Sequence, residues 1–418
     1  LSGAVDVKGL WLRLLRAGGL YRVLRPLLAL YLLKERNRPY RIWVSFLCRI
    51  FEGAYGRKRP VVWVNAFFPV EAIYALGAVP FIPEIYASLV AYFDLSRGPI
   101  ALGGTKLSTD LCSFFRCVMG LAEEGVLPEP DLVISSSHLC DGANKFFSEL
   151  ARFYAVDHLF LDPPYGGGDK AKVYLLEQLR YVMEEASRRL GLPLRDEALS
   201  LVLHRTRHIW HFMQEVNRLR QGRPSPFPGS EGLSYVAGMA FYSPGSEEGV
   251  EFFRALRDHI AVRVRGGKGY LPRERFRVLW LHHIRPYYPN SIFSFLDARG
   301  IAVAFEEPNY LWWPEPRPEA PWESLTDKLL CNPWAGPLER RLQAVREMAL
   351  SYGVQGAIHF SHWGCRQSTG GAVQLGEALK EMGLLYLLLP GDGADPGNYS
   401  PGQTLTRLQA FAEMLESR

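Results

Sequence analysis

The sequence predicts an α/β protein with two doubly wound parallel-sheet domains that face a cleft, an N-terminal helical segment, and a helical insertion between the domains. Three observations support this prediction. Short apolar runs of β type alternate with helical patterns in residues 59–170 and again in residues 271–418. Residues 171–270 instead show helical periodicity with paired charges. The length of 418 residues also exceeds what one hydrophobic core usually supports.

The composition is that of an ordinary soluble globular protein. Hydrophobic residues make up 48% and charged residues 22% of the chain, which excludes disordered and fibrous classes. The net charge of +5 is a weak basic bias that suits a phosphate-bearing ligand such as a coenzyme. Because the arginines are scattered rather than clustered in a stripe, we expect no nucleic-acid partner. Six cysteines in so long a chain do not indicate a disulfide framework, so we expect a reducing, cytoplasmic compartment.

Residues 1–58 are predicted to form helices with basic turns. The apolar run over residues 10–33 is interrupted by arginines and by Pro26. It is therefore too broken for a membrane span, which needs about 18 uninterrupted apolar residues. Helices that pack on the body of the protein are favoured over a helix that lies in a membrane interface, and we expect no membrane association.

The first α/β domain is predicted to begin with a strand over residues 60–67. A helix follows at Pro69, because proline at the first helical position and Glu71 in the first turn both favour a helix start. Glu71 is a candidate carboxylate for the cleft. A simpler role, in which its charge complements the helix dipole, is favoured.

Two cysteines belong to the next predicted helix. Ser108, Thr109 and Asp110 are typical capping residues, so Cys112 is expected in the first helical turn. Cys117 follows five residues later, roughly 140° around the helix, so the two thiols do not face one site. We predict that Cys117 is buried in the core, as free cysteines commonly are.

Two more cysteines are predicted to lie where a strand ends and a helix begins. Cys140 follows the apolar run 131–137, and the N–H groups of the coming helix favour a thiolate there. His138, two residues earlier, is predicted to be structural rather than a ligand. Cys365 follows the apolar run 356–360 in a polar turn, before a helical pattern with Leu375 and Leu379 on one face.

Cys112, Cys140 and Cys365 therefore each fall near a predicted crossover. Ligands bind at the carboxyl ends of strands in open parallel sheets, so the three thiols can converge if the two domains face each other. Three thiolates without a fourth cysteine suit a [4Fe–4S] cluster with one open iron. Zinc is the rival metal, but structural zinc prefers closed sites in which two to four residues separate paired cysteines. The nearest such pair, Cys112 and Cys117, has four residues between its members and lies on one predicted helix. On spacing alone, unrelated buried cysteines remain an equal alternative.

The tail of the chain resembles a known family. Residues 362–371 read HWGCRQSTGG and residues 391–415 read GDGADPGNYSPGQTLTRLQAFAEML. Together they are similar to the carboxyl-terminal signature of the 2-hydroxyacyl-CoA dehydratase and benzoyl-CoA reductase family. The upstream segments PVEAIYALGAVP, DLCSFFRCVMG and LCDGANKFF resemble the same family in the same order. The likeness covers roughly residues 60–165 and 275–418.

This resemblance implies an oxygen-sensitive iron–sulfur subunit of a radical dehydratase, a lyase that converts (R)-2-hydroxyacyl-CoA to 2-enoyl-CoA through a ketyl radical. In that family two homologous subunits each hold a [4Fe–4S] cluster through three cysteines, and an ATP-hydrolysing iron–sulfur activator supplies an electron. The positions that match those ligands are Cys112, Cys140 and Cys365. The motif HWGCRQ more closely resembles that of the beta-type subunit, which is the partner that does not bind the substrate.

Two other functions stay open. One is an ATP-dependent reductase, either of the benzoyl-CoA type or with a double-cubane [8Fe–9S] cluster, for which Cys117 and Cys331 are candidate extra ligands. The second is a non-catalytic electron-relay subunit. The chain has no G-x-x-x-x-G-K-[ST] loop with which to hydrolyse ATP, and no G-x-G-x-x-G turn for a dinucleotide. An activating partner is therefore expected in every case, and the acyl chain of the substrate is not specified.

Overall fold

A computed structural model describes residues 32, 35 and 37–418 of the chain. Helix α1 (Arg38–Gly56) begins after Asn37, whose side chain accepts the Tyr40 N–H at 3.2 Å. The rest of the predicted N-terminal helical segment, including most of residues 10–33, lies outside the described residues. Within the described part of the chain, no helix is long and apolar enough to cross a membrane.

The first sheet contains four parallel strands in the order β2-β1-β3-β4. Its strands are β1 (Val61–Val64), β2 (Val79–Phe81), β3 (Leu132–Ser136) and β4 (His158–Leu161). The helices of this part are α2 (Val70–Ala75), α3 (Pro83–Tyr92), α4 (Arg97–Gly103), α5 (Ser113–Glu123) and α6 (Asp141–Tyr154). Every residue of β1 and β3 is buried, because helices cover both faces of a parallel sheet.

A run of helices separates the two sheets along the chain. These helices are α7 (Asp169–Leu190), α8 (Asp196–Arg220), α9 (Gly229–Glu231), α10 (Ala237–Tyr242) and α11 (Glu247–Arg265), with a π-helical turn (Gly232–Val236) between α9 and α10. Leu203 of α8 and Phe252 of α11 share one hydrophobic core with Val62 and Val64 of β1. The helical region therefore packs on one face of the first sheet. The limits of the four predicted domains remain predictions.

The second sheet repeats the architecture of the first. Its four parallel strands have the order β6-β5-β7-β8, which is the same order by position in the sheet. They are β5 (Phe276–Leu281), β6 (Ile301–Glu306), β7 (Gly356–His362) and β8 (Leu385–Gly391). The helices of this part are α12 (Ile292–Ala298), α13 (Pro321–Leu330), α14 (Leu338–Tyr352), α15 (Arg366–Thr369), α16 (Ala372–Glu381) and α17 (Pro401–Glu416). The predicted α/β class with two parallel sheets is confirmed.

The two sheets are joined by a shared core. Trp63 of β1 and Trp280 of β5 belong to the same cluster of buried side chains, which also contains Phe114, Phe146 and Phe360. In the first sheet β2 and β3 lie on opposite sides of β1, and in the second sheet β6 and β7 lie on opposite sides of β5. The strand order therefore reverses between β1 and β3 and between β5 and β7, and these are the two switch points. Ligands of doubly wound sheets bind at the carboxyl ends of such strands. A ligand site is therefore expected at the residues that follow these four strands.

Candidate active site

Cys140 and Cys365 lie in the short turns that follow the switch-point strands β3 and β7. Each is the N-cap residue of the next helix, α6 and α15 respectively. A residue in the left-handed region precedes each cysteine, Leu139 with φ of 76° and Gly364 with φ of 70°. These turns direct the chain sharply from strand to helix, and they place both sulfurs at the carboxyl edges of the two sheets. The sequence prediction for these two positions is confirmed.

Cys112 occupies a slightly different position from the one predicted. It is the N-cap residue of α5, which begins at Ser113, and it does not lie in the first helical turn. The predicted capping residue Ser108 instead stabilises a preceding turn, where its carbonyl accepts the Leu111 N–H at 3.1 Å and its Oγ accepts the Asp110 N–H at 3.3 Å. All three candidate cysteines therefore share the same local setting at the start of a helix.

The three cysteines line one cavity of about 120 Å³ between the two sheets. The wall is mainly apolar and aromatic, with contributions from Phe67, Phe114, Phe115, Phe241, Ile284 and Tyr287. Within the described part of the chain, no lysine or arginine lines this cavity. We call it the cysteine cavity.

A close backbone approach brings the cysteines of the two halves together. A Cβ atom on Gly364 would lie 2.7 Å from the backbone nitrogen of Cys112 and 2.9 Å from its Cα. Only glycine therefore lets the turn before Cys365 pack against the turn that holds Cys112. Next to this contact, the Ser113 hydroxyl donates a hydrogen bond to the Asp392 carboxylate at the end of β8.

The electrostatics of the three thiols favour a compensating cation. Burial raises the pKa of Cys112 well above its ordinary value, and the neighbouring charges of Cys140 and Cys365 raise it further. Burial and the charge of Cys365 raise the pKa of Cys140 to about 12, although the backbone N–H groups of Ala143 and Gly142 oppose the shift. Burial also raises the pKa of Cys365. Three thiolates so placed need positive charge within the cavity, which a bound metal centre supplies.

This donor set is chemically suited to an iron–sulfur cluster, since soft thiolates are the usual ligands of such clusters. Among the described residues, no group of three or more His, Cys, Asp or Glu side chains is arranged to hold a single metal ion. Cys117 and Cys331, the candidate extra ligands, do not line the cysteine cavity. Cys117 is fully buried in the core, as predicted, and Cys331 is exposed at the end of α13.

Two buried histidines contact the cysteine sulfurs. His362 Nε2 lies 3.2 Å from Cys112 Sγ, and His282 Nε2 lies 3.5 Å from Cys365 Sγ. Burial lowers the pKa of both histidines, so each imidazole is neutral near pH 7. The sequence interpretation did not include these two residues. Their positions at the ends of β7 and β5, the two switch-point strands, were the available signal.

Glu84 is the carboxylate of the cysteine cavity. It is the second residue of α3, and its Oε1 accepts the Ala66 N–H at 3.2 Å. Its Oε2 has no hydrogen-bond partner in the described part of the chain, and burial raises its pKa to about 7. His283 lines the same cavity, where burial lowers its pKa to about 3 and leaves its Nδ1 without a partner among the described residues.

Glu71, the carboxylate that the sequence singled out, has a different role. It lies in the first turn of α2, is fully buried, and forms an ion pair with Lys328 Nζ at 2.7 Å. It does not line the cysteine cavity. Glu84 also follows a proline at a helix start, and this likeness to Glu71 was the missed signal. His138 is buried beside the cavity and not in its wall, and burial lowers its pKa to about 4.

Comparison with known proteins identifies the family. Residues 65–415 match the family described as 2-hydroxyglutaryl-CoA dehydratase, D-component. The chain belongs to this family. The matched region contains all three cysteines of the cavity and every strand of the two sheets except β1. The resemblance that the sequence motifs indicated is therefore confirmed.

Several named proteins are similar to this chain along most of their length. The (R)-phenyllactyl-CoA dehydratase alpha subunit of Clostridium sporogenes is 24% identical, over 87% of this chain and 91% of the relative. The lactoyl-CoA dehydratase alpha subunit of Anaerotignum propionicum is 23% identical, over 87% and 92%. One of the benzoyl-CoA reductase subunits of Thauera aromatica is 23% identical, over 74% and 78%. Both dehydratase relatives are named alpha subunits, which differs from the beta-type likeness expected from HWGCRQ.

Proposed function

We propose that this chain is the iron–sulfur subunit of an ATP-activated 2-hydroxyacyl-CoA dehydratase, which removes water from (R)-2-hydroxyacyl-CoA to give 2-enoyl-CoA. One observation carries the proposal: cysteines from three separate helix starts line one cavity, in a chain whose relatives include named 2-hydroxyacyl-CoA dehydratase subunits. The family match extends over the whole of this cavity.

Cys112, Cys140 and Cys365 would hold a [4Fe–4S] cluster. Their sulfurs are soft ligands in a cavity that lacks lysine and arginine, so the cluster itself would supply the positive charge that the thiolates need. A bound cluster would lend a thioester one low-potential electron and take it back at the end of the reaction, which would make the β-hydrogen of the acyl group more acidic without net reduction. The aromatic wall would keep water away from this chemistry.

Glu84 is the acid–base group that this proposal assigns. Dehydration breaks the C2–O bond and the C3–H bond and forms a double bond, while hydroxide and a proton leave together as water. A carboxyl group with a pKa of about 7 exists in both forms near neutral pH, so it can accept the C3 proton and protonate the departing hydroxyl. Glu84 lines the cysteine cavity, where such a substrate would bind, and its Oε2 has no hydrogen-bond partner in the described part of the chain.

The wall of the cavity also favours one class of acyl group. Its aromatic and aliphatic side chains suit an apolar substituent, whether aromatic or branched aliphatic. A second carboxylate on the substrate would find no lysine or arginine in the described wall, and it would be repelled by ionised Glu84. We therefore propose an uncharged acyl chain in preference to a dicarboxylic one.

The proposal includes two protein partners and a compartment. A homologous dehydratase subunit completes the enzyme, and an ATP-hydrolysing iron–sulfur activator delivers the electron, because this chain has no phosphate-binding loop of its own. We propose a cytoplasmic location, since buried thiols that serve as ligands require reducing conditions.

Metal analysis under anaerobic conditions tests the cluster assignment. We expect about four iron and four sulfide ions per chain, and loss of both in C112A, C140A and C365A. C117A and C331A are matched controls that should keep the cluster, since neither cysteine lines the cavity. About eight iron ions per chain would favour the double-cubane alternative. Retention of the cluster in all three cavity variants would contradict the ligand assignment.

Turnover with a panel of acyl-CoA substrates tests the reaction. The chain should be inactive alone, and it should dehydrate 2-hydroxyacyl-CoA only with its partner subunit, an activator, ATP and a strong reductant. Similarity to a benzoyl-CoA reductase component makes ATP-dependent reduction the second candidate. A complex that reduces an aromatic acyl-CoA and dehydrates none would replace the first function with the second. A chain in a complex that binds no acyl-CoA at all would be an electron relay.

A further inference from the structure

We propose that His362 and His282 are positioning residues that donate N–H hydrogen bonds to the sulfurs of Cys112 and Cys365, and that these bonds raise the reduction potential of the cluster. The inference rests on the proposed function, because it assumes that these cysteines are ligands. It adds two residues outside the ligand set, together with a measurable property that they control.

The hydrogen bonds of His362 determine which ring nitrogen carries the proton. The backbone N–H of Gly393 donates to His362 Nδ1 at 3.0 Å, so Nδ1 must be the unprotonated acceptor. The proton of the neutral ring is therefore on Nε2, which lies 3.2 Å from Cys112 Sγ. A sulfur at this distance is within reach of an N–H donor, so the geometry assigns the hydrogen bond to the sulfur as acceptor.

The donor from Gly393 is itself held in place by Asp392. Asp392 Oδ1 accepts the backbone N–H groups of Ala394 and Asp395, each at 2.9 Å, and Oδ2 accepts Asn398 Nδ2 at 3.0 Å. Asp392 is fully buried. The loop after β8 is thus folded around one carboxylate, and the N–H of Gly393 points at the imidazole of His362 as a consequence.

His282 also accepts a backbone N–H at Nδ1 and presents Nε2 to a cysteine sulfur, but different residues hold it in place. The backbone N–H of Ile284 donates to His282 Nδ1 at 3.4 Å, which leaves the ring proton on Nε2, 3.5 Å from Cys365 Sγ. His282 has a φ of 85°, a left-handed conformation that is uncommon for a residue other than glycine. Its backbone N–H donates to Glu307 Oε2 at 2.5 Å. Two unrelated backbone donors therefore give the two histidines the same tautomer.

Glu307 connects this second histidine to the rest of the site. Arg341 donates to both Glu307 oxygens, at 2.7 Å and 2.9 Å, and Trp334 Nε1 donates at 2.8 Å. Arg341 also donates to the carbonyl of Gln367, two residues after Cys365, at 2.9 Å. The buried ion pair thus fixes His282 and the loop of Cys365 relative to each other.

Hydrogen bonds to ligand sulfurs raise the reduction potential of a cluster. Reduction adds one negative charge, and an N–H donor stabilises the more negative state more strongly, especially inside a protein where the effective dielectric constant is low. Backbone N–H groups also donate to the three sulfurs: Ala143 and Gly142 to Cys140, Phe114 to Cys112, and Gln367 and Ser368 to Cys365. His362 and His282 add a side-chain donor to two of the three sulfurs, and these two donors can be replaced one at a time.

Asparagine and glutamine substitutions separate the hydrogen bond from the packing. Glutamine can place its amide nitrogen near the position of Nε2, whereas the shorter asparagine ends near Nδ1 and removes only the side-chain donor from the sulfur. Asparagine also tolerates a positive φ, as position 282 requires. His359 is the matched control, because it is fully buried on the same strand as His362 and its Nδ1 contacts the Tyr386 hydroxyl at 2.6 Å instead of a sulfur.

The experiment measures the midpoint potential of the anaerobically purified full chain by redox titration monitored by electron paramagnetic resonance. We expect H362N and H282N each to lower the equilibrium constant for one-electron reduction roughly tenfold, a shift of about 59 mV to more negative potential. H362Q and H282Q should recover most of the loss. H359N should leave the potential unchanged. A second readout is the coupling of ¹⁵N-labelled histidine to the cluster spin, which should be present in the wild type and reduced in H362N.

Two outcomes would overturn the inference in distinguishable ways. If the wild type holds iron and sulfide but H362N and H282N keep the potential of H359N, the histidine bonds do not tune the cluster and the proposed function is unaffected. If the wild type holds no iron and sulfide, both the proposed function and this inference are wrong. Failure of an asparagine variant to fold would leave the ¹⁵N coupling of the wild type as the deciding measurement, and its absence would contradict the inference.

Discussion

Replacing Glu84 by Gln should change the pH dependence of stability in a direction that the structure specifies. Burial raises the pKa of Glu84 from an ordinary value of 4.5 to about 7. The folded protein therefore binds this proton more tightly than the unfolded chain does. The stability gained from the protonated form is complete below pH 4.5, and it is lost as the pH rises through 7. Glutamine resembles the protonated acid in shape and does not titrate, so E84Q should escape this loss.

The magnitude follows from the two pKa values. With 1.36 kcal/mol per unit of pKa shift, the wild type should lose about 2.5 kcal/mol relative to E84Q between pH 5 and pH 8. The assay is urea unfolding of the metal-free protein at several pH values, with the free energies of wild type and variant subtracted. Subtraction removes the titration of the buried histidines, which the two proteins share. A difference that stays constant between pH 5 and pH 8 would refute the assignment of a raised pKa to Glu84.

The same variant tests the proposed chemistry. If Glu84 transfers protons during dehydration, E84Q in the complete complex should lose about 10²- to 10⁴-fold in kcat while it keeps its iron and sulfide. The wild type should show a change in rate with an apparent pKa near 7. Full activity of E84Q would show that another group carries the proton.

Other parts of the site support three more predictions. The free energy of unfolding should fall as the pH drops below 6.5. Burial lowers the pKa of several histidines, so they take up protons only when the chain unfolds, and each contributes up to about 1.4 kcal/mol per pH unit. Urea unfolding of E84Q between pH 6.5 and pH 4 measures this fall, and a flat profile would contradict it. The histidines with the clearest shifts are His138, His283 and His359. G364A should lower the free energy of unfolding by more than about 1 kcal/mol and lower the iron content, since its Cβ would meet the backbone of Cys112. A G364A variant with the full iron content would contradict this close approach. R341M should cost about 3–5 kcal/mol by thermal unfolding because it leaves Glu307 buried without its partner, and a cost below about 1 kcal/mol would contradict that role.

Strands β2 and β8 were not predicted from the sequence, and one physical reason explains both omissions. Both β2 and β8 are edge strands, the first containing Pro80 and the second Pro390. Proline is tolerated in a parallel sheet mainly at an edge, where one backbone N–H needs no partner. In so short a run, a proline also makes the β-strand pattern of the sequence difficult to recognise. The central strands β1, β3 and β7 are nearly fully buried and were predicted from the apolar runs 60–67, 131–137 and 356–360. Burial on both faces leaves a strong local signature.

Local sequence patterns were enough to show which cysteines lie at the starts of helices. That property depends on a strand, a turn and a helix within about twenty residues of each other, all of which leave a recognisable pattern. The burial of Cys117 and the positions of Cys140 and Cys365 were therefore predicted correctly. The family motifs added the expectation that these thiols act together.

The surroundings of the thiols, in contrast, depend on tertiary packing. The contact between Cys112 and His362 joins residues 250 positions apart, and that between Cys365 and His282 joins residues 83 positions apart. No local pattern encodes such pairs, because they depend on how two sheets that are distant along the chain pack against each other. For the same reason the sequence pointed to Glu71, whereas the packing buries that carboxylate against a lysine and brings Glu84 to the cysteine cavity.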